Sequence, residues 1–271
     1  MRFGFVIPTY NRAENLALCL EGLLHQTNRD FDVVVWDDGS EDDTRRVVTD
    51  YANRLPIVYG WHPHQGYRVS LARNCGARLH DVKVTHFWFI DSDVVLNPKA
   101  VEHAYELCAR QRKVTICGRY DWLPPMEIQP SQIGDHFEDF AAGRLVRKDV
   151  DYVQDILGPD PRFRSNPELW DCTRLVTVIG GSTLSGNLIV PYHWFEETRG
   201  FDENIVGQGQ DSEFGHHLQA LGASVVFCPH IIGYHVAHPI DRAWKTASVR
   251  ETIKYIHKKY KIPLKEENLP T

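Results

Sequence analysis

Two carboxylates one residue apart, Asp91 and Asp93, end the apolar run Phe87-Trp88-Phe89-Ile90. An apolar strand that stops at acidic residues places them at the carboxyl edge of a sheet, where open α/β sheets bind ligands. Hard oxygens at that spacing suit a divalent cation, Mg2+ or Mn2+, which can bridge diphosphate oxygens and neutralise a leaving group. The same pair can equally form a solvated turn around Ser92, so the motif depends on its context. His235 and His238 lie in Gly233-Tyr234-His235-Val236-Ala237-His238 after another apolar run, and imidazole suits Mn2+ better than Mg2+. Further acids occur in Gly209-Gln210-Asp211-Ser212-Glu213, which reads as a helix start. A carboxylate there can take a proton from a neighbouring hydroxyl.

The elements that must position these groups alternate. Residues 2–7, 32–37, 56–60 and 84–90 are short apolar runs, separated by helical patterns over 14–26, 43–53 and 69–79. Strands alternating with helices predict an α/β fold with a mostly parallel central sheet, right-handed crossovers and helices on both faces. Asn97-Pro98 predicts an N-cap with proline in the first turn, and a helix to about Arg112. Prolines punctuate 120–172, which reads as an irregular, partly helical insertion that shapes an acceptor site. Strand-like runs return at 174–179, 187–190 and 223–228. Helices are expected from near Gln210 to a glycine cap at Gly222, and over 243–260.

With 271 residues and 42% hydrophobic content, the chain can build one compact unit. Its net charge of −6 and scattered basic residues argue against a nucleic-acid partner or an anionic-membrane patch. The apolar stretch between Arg2 and Pro8 is too short for a signal-peptide core or a membrane span, so no transmembrane segment is expected. The 6 cysteines are spread without a C-x-x-C pair, which argues against a zinc cage or a disulfide scaffold and fits a reducing, cytoplasmic setting.

Pro8-Thr9-Tyr10-Asn11 follows the first strand, and Val35-Trp36-Asp37-Asp38-Gly39-Ser40 follows the second, ahead of Asp43-Thr44. With the Asp91/Asp93 pair, these blocks come in the order and at the spacing of the family 2 glycosyltransferases of GT-A fold, which the chain resembles. The resemblance implies one domain over 1–271, with a Rossmann-like nucleotide-sugar-binding half at 1–95 and an acceptor-binding, catalytic half at 96–271. It places Pro8, Tyr10 and Asp38 around uridine. A carboxylate can accept a uracil N–H and a tyrosine ring can stack on the base. Gly66-Tyr67-Arg68 and Ala72-Arg73-Asn74 resemble the family's G-x-x-x-A-R-N segment, which sets Arg68 against the nucleotide; Arg73 either joins it or ties down a structural carboxylate. Asp42 and Asp43 are read as helix caps.

Gly200-Phe201-Asp202-Glu203 and Gly207-Gln208-Gly209-Gln210-Asp211 resemble the family's C-terminal block, and more closely a galactosyltransferase-like segment. By that resemblance Asp211 is the catalytic base, Gln210 and Glu213 bind the acceptor, and His235 joins Asp91 and Asp93 on the metal, with His238 as its competitor. Gln210 departs from the glutamate common at that position. Gly186-Asn187 looks like the family's loop beside the donor sugar, which Asp91 and Ser92 also border. Trp122, Trp170 and Trp194 are candidate stacking surfaces for a sugar. The activity implied is metal-dependent, inverting transfer of a hexose or N-acetylhexosamine from a UDP-sugar to a glycan, peptide or lipid-linked acceptor. A retaining GT-A transferase and a catalytically silent nucleotide-sugar-binding module are the alternatives, separated by product stereochemistry and by turnover. A nucleotidyltransferase fits less well, because no Gly-rich pyrophosphate loop with a lysine follows the first strand.

Overall fold

The computed structural model describes residues 1–81, 83–150, 157–160, 162, 176–177, 180–264 and 269–270. The first half follows the alternation: β1 (Phe3–Thr9), α1 (Ala13–Leu24), β2 (Phe31–Asp37), α2 (Thr44–Tyr51), β3 (Ile57–Trp61), α3 (Val69–Arg78) and β4 (His86–Ile90). β1 pairs in parallel with β2 and with β4, and β2 pairs in parallel with β3. Successive side chains point to opposite faces. Phe3, Phe5, Ile7, Trp88 and Ile90 pack with α1 and α2, whereas Val6, Phe87 and Phe89 pack with Ala77 of α3. Helices therefore cover both faces, which is why these strands read as continuous apolar runs. Of the two expected caps, Asp43 stands at the N-cap of α2 but makes no side-chain cap bond and instead accepts from Arg46 Nη2 at 2.8 Å, whereas the Asp42 carboxylate accepts from Thr44 N at 3.0 Å and from Ala13 N at 2.9 Å, tying the starts of α2 and α1 together.

The second half contains β5 (Val94–Leu96), α4 (Ala100–Arg110), β6 (Thr115–Leu123), α5 (Ile133–Ala141), β7 (Val176–Thr177), β8 (Asn187–Pro191), α6 (Tyr192–Thr198), α7 (Gln210–Ala220), β9 (Val225–Val236) and α8 (Arg242–Tyr260). One sheet runs β3-β2-β1-β4-β8-β6-β9-β5, with β7 on β9. β8 lies antiparallel between β4 and β6, so the parallel half passes into a mixed half. Phe195 of α6 and Phe214 and Leu218 of α7 join the α3 side of the core. Among the described residues no helix is long and apolar enough to cross a membrane.

The structure differs from the sequence pattern in three places. Asn97 does not cap a helix: its side chain accepts from Lys99 N at 3.1 Å and its carbonyl from Ala100 N at 2.9 Å, a turn after which α4 starts at Ala100 rather than at Pro98. β6 runs to Leu123, into the segment read as irregular. The run read as 223–228 continues through Pro229 to Val236, and its register on β6 jumps from Gly118↔Cys228 to Arg119↔Ile232. The residues between bulge out, which is where a strand tolerates a proline without a ladder bond. Of the run at 174–179, only 176–177 falls among the described residues, and Trp170 and Cys172 lie outside them.

Candidate active site

The carboxyl ends of β1, β2 and β4 open onto a cavity of about 640 Å³. Pro8, Tyr10, Asp38 and Arg68 form one part of its lining. Asp38 N donates to Thr9 O at 2.9 Å, which fixes the loop after β2 against the end of β1. The Asp38 carboxylate faces two imidazoles: Oδ1 lies 2.7 Å from His62 Nε2 and Oδ2 lies 3.4 Å from His64 Nδ1. Burial pushes its carboxyl up; His62, His64 and the Arg68 backbone N–H pull it back only in part. The Tyr10 ring stacks on His64, with centroids 4.0 Å apart and planes within 8°. One face of Tyr10 is thus already used.

Asp91, Ser92, Asp93 and His235 also line the cavity. β5 follows Asp93 at once and lies antiparallel on β9, which sets Val94 opposite His235. Val236 N donates to Asp93 O at 2.9 Å. Asp93 Oδ2 then lies 3.5 Å from His235 Nε2 and 3.1 Å from His238 Nε2. One potential ligand atom from each of Asp93, His235 and His238 falls within 4.8 Å of the others. Asp93 Oδ1 and His235 Nδ1 are buried without a hydrogen-bond partner. Burial alone would push the Asp93 carboxyl up, but the two imidazoles hold it far below the usual carboxylate range. Burial works against charge on His238, yet Asp93 raises its imidazole above the ordinary value. An oxygen and two nitrogens so arranged, with orphaned buried atoms beside them, form a donor set that a divalent cation can satisfy.

Asp91 does not join this trio. Arg73, almost wholly buried on α3, donates through Nη2 to Asp91 Oδ1 at 2.7 Å, and Tyr120 OH donates to Oδ2 at 3.4 Å. Arg73 therefore holds a carboxylate while also lining the cavity, and His238, not Asp91, lies beside Asp93 and His235. Gly186 lines the cavity against these two groups: a Cβ there would sit 2.4 Å from Tyr120 Cε2 and 2.7 Å from Asp91 Oδ2.

Gln210 and Asp211 enter the cavity from the start of α7. Burial pushes the Asp211 carboxyl up and Asp91 adds to it, against the opposing charge of Arg73 and the Ser212 N–H, which donates at 2.9 Å. The loop before them carries Gly207 at φ +134° and Gly209 at φ +92°, left-handed conformations that glycine adopts freely. α8 clasps this loop. Gln208 N donates to Ser248 Oγ at 2.7 Å, and Thr252 Oγ1 donates to Gln208 O at 2.6 Å. α8 also brings Trp244 and Lys245 to the cavity, an involvement that the sequence motifs did not signal.

Two residues expected at the site face elsewhere. Glu213 is fully buried on the far side of α7, where its Oε1 accepts from Lys259 Nζ and Tyr260 OH, each at 2.7 Å. A helix residue two positions after Asp211 cannot share its face. Asn187 is fully buried in β8: it accepts from Trp88 Nε1 at 3.0 Å and donates to Arg119 O at 2.9 Å and Ile231 O at 3.0 Å, stitching β4, β6 and the β9 bulge. Trp122 lines the cavity beside His235, with ring centroids 4.1 Å apart, while Trp194 donates to Lys113 O and packs on the core.

Residues 5–137 match the sequence model described as glycosyl transferase family 2. The chain is 36% identical over 233 residues to the validoxylamine A glucosyltransferase of Streptomyces hygroscopicus subsp. jinggangensis, covering 80% of this chain and 51% of that protein. It is 26% identical over 244 residues to the chondroitin synthase of Escherichia coli, covering 87% of this chain and 35% of that one. The chain thus spans about half the length of the first of these relatives and less of the second. Among solved structures, S. aureus TarS 1–349 in complex with UDP-GlcNAc superposes with a TM-score of 0.67 at 17% identity, over 98% of this chain and 68% of that one. The mannosyltransferase PcManGT of Pyrobaculum calidifontis, in complex with GDP-Man and Mn2+, gives 0.65 at 16% identity, over 97% of this chain and 65% of that one. With the Asp37-Asp38 loop and the Asp91-Ser92-Asp93 edge opening on one cavity, the chain belongs to the family 2 glycosyltransferases and has the GT-A fold.

Proposed function

We propose that this chain transfers a hexose or N-acetylhexosamine from a UDP-sugar to an acceptor hydroxyl, with inversion at the anomeric carbon and with a divalent cation. The observation that carries the reading is a single cavity walled by Asp38, by Asp93 with His235 and His238, and by Asp211. Asp38 accepts the imide N–H of the base, and Tyr10 offers the base its ring face away from His64. Asp93, His235 and His238 would hold the cation, and the two imidazoles favour Mn2+ over Mg2+. When bound, the cation supplies charge neutralisation at the diphosphate. Arg73 keeps Asp91 in place for a hydroxyl of the donor sugar. Asp211 takes the acceptor proton as that oxygen attacks the anomeric carbon; the bond to the diphosphate oxygen breaks and its electron pair leaves with UDP. The raised Asp211 pKa fits a base, because it brings proton affinity closer to working pH.

Trp244 and Tyr67 line the cavity with 42% and 36% of their surface exposed, a stacking surface that favours a sugar acceptor. The test is release of nucleotide from UDP-, GDP- and dTDP-sugars with Mn2+, Mg2+ or EDTA, comparing wild type with Asp93→Ala, followed by NMR of the anomeric configuration of the product. Metal-dependent UDP release, abolished by the substitution, is expected. A product of retained configuration would remove Asp211 from the role of base, and no nucleotide binding at all would overturn the assignment.

A further inference from the structure

The cations that line the cavity are not alike. Arg73 is bonded to Asp91, Arg12 Nη2 lies 3.0 Å from His238 Nδ1, and Arg68 stands at the start of α3, where its backbone N–H donates to Asp38. Lys245 of α8 also lines the cavity, yet among the described residues its ammonium pairs with no carboxylate. Its neighbour is the Trp122 ring, with Nζ 5.9 Å from the centroid. Trp122 in turn lies 4.1 Å from the ring of His235, a contact set by the Trp122↔His235 register of β6 on β9. One indole thus separates the ammonium from the trio of Asp93, His235 and His238.

Fold stability does not account for a charge at this place. Asp241 caps α8 by accepting from Trp244 N at 2.9 Å, and Lys245 N donates to Asp241 O at 3.0 Å, which fixes this end of the helix independently of Ser248 and Thr252. A cation so near the N-terminus opposes the helix dipole. A part-exposed ammonium gains little from an aromatic face, and a bond to an anionic oxygen is stronger. The lysine is therefore held loosely beside the place where a diphosphate would meet the trio.

The charges already present make the need specific. The Asp93 carboxylate half neutralises a divalent cation held by the trio, and Arg73 is committed to Asp91. In the UDP-sugar reading, on which this inference rests, the acceptor proton passes to Asp211, the anomeric C–O bond breaks, and its electron pair stays on the β-phosphate, which gains a negative charge. We propose that Lys245 is a catalytic residue that binds this β-phosphate and stabilises the charge as it develops.

The test is calorimetric binding of UDP and UMP, with Mn2+ present, to the full chain and to Lys245→Met and Lys245→Arg, together with kcat and KM for the UDP-sugar that the wild type turns over. Lys245→Met keeps an apolar stem on Trp122 and removes the charge, whereas Lys245→Arg keeps the charge. In Lys245→Met the preference for UDP over UMP is expected to fall at least roughly tenfold, the lower range for a hydrogen bond between charged groups, and kcat to fall by a larger factor than KM rises. Lys245→Arg should hold the preference within about threefold of wild type. A Lys245→Met that weakens UDP and UMP together, with their ratio unmoved, makes the lysine structural and overturns the proposal while the UDP reading stands. An unmoved ratio with a raised KM for the acceptor alone also overturns it, since the lysine then answers an anionic group on the acceptor. A wild type that binds no UDP overturns both the donor reading and the role of Lys245.

Discussion

The loop that delivers Asp211 has its backbone held from outside, and this makes the contribution of α8 measurable. Gly207 and Gly209 flank Gln208 in left-handed conformations, so the loop has little conformational preference of its own. The Gln208 amide and carbonyl are bonded to Ser248 and Thr252 of α8 at 2.7 and 2.6 Å. Thr252→Val keeps the shape and removes one donor, at a cost of about 1 kcal/mol for a neutral hydrogen bond. Ser248→Ala strips the Gln208 N–H of its acceptor and leaves a part-buried donor, at about 1–2 kcal/mol. The two bonds share one residue, so the double variant loses somewhat less than the sum, about 2 kcal/mol.

At 1.4 kcal/mol per tenfold, and with these bonds as the loop's margin of stability, kcat is expected to fall roughly fivefold in each single variant and roughly tenfold to thirtyfold in the double. In the proposed reading the base is held by Tyr10, Asp38 and Arg68, in another part of the same cavity lining, so the Kd for UDP is expected to stay within about twofold. The assay is steady-state kcat at saturating donor, with UDP titration calorimetry and a thermal melt on the same preparations. Two results refute the reasoning: a double variant whose kcat stays within twofold of wild type, or a UDP Kd that worsens in step with kcat.

In the proposed role of base Asp211 must be ionised, and its carboxyl is raised by burial. Hence kcat/KM should fall as pH drops through a value above the ordinary carboxylate range. Arg73→Gln, which removes the charge that lowers this pKa, should move that limb to still higher pH in a pH–rate profile. Gly186→Ala should push Tyr120 and Asp91 apart, lowering kcat at least roughly tenfold with a modest loss of Tm; unchanged kinetics would show that the loop gives way cheaply. Burial pushes Asp202 up, but bonds from Lys259 and Tyr255 hold it down at about 2. A depressed carboxyl stabilises the fold above its unfolded value of about 3.9, and that stabilisation is lost as pH falls from about 4 towards 2. Urea unfolding of Lys259→Met at about pH 6 and pH 3 should show a smaller acid loss than wild type.

What the sequence makes legible is the edge of the sheet, and what it hides is which way each side chain faces there. β1, β2 and β4 are buried on both faces, so their apolar runs end sharply at Tyr10, Asp38 and Asp91, and the cavity's position follows from those ends. Facing, by contrast, is set by pairings between distant segments. Asp93 meets His235 because β5 lies on the last residues of β9, and those residues belong to a strand that continues past a bulge at Pro229, which a local reading takes as its end. The bulge also explains Asn187: its amide is consumed by Ile231 O within it, so a residue whose glycine neighbour touches the cavity contributes packing instead. Glu213 was separable from Asp211 on helical geometry alone, since two positions along a helix turn a side chain well away from its neighbour's face. Asp91 was not separable from Asp93 in this way. Its partner Arg73 comes from α3, and only the packing of that helix against the sheet brings a guanidinium to the first carboxylate of the pair.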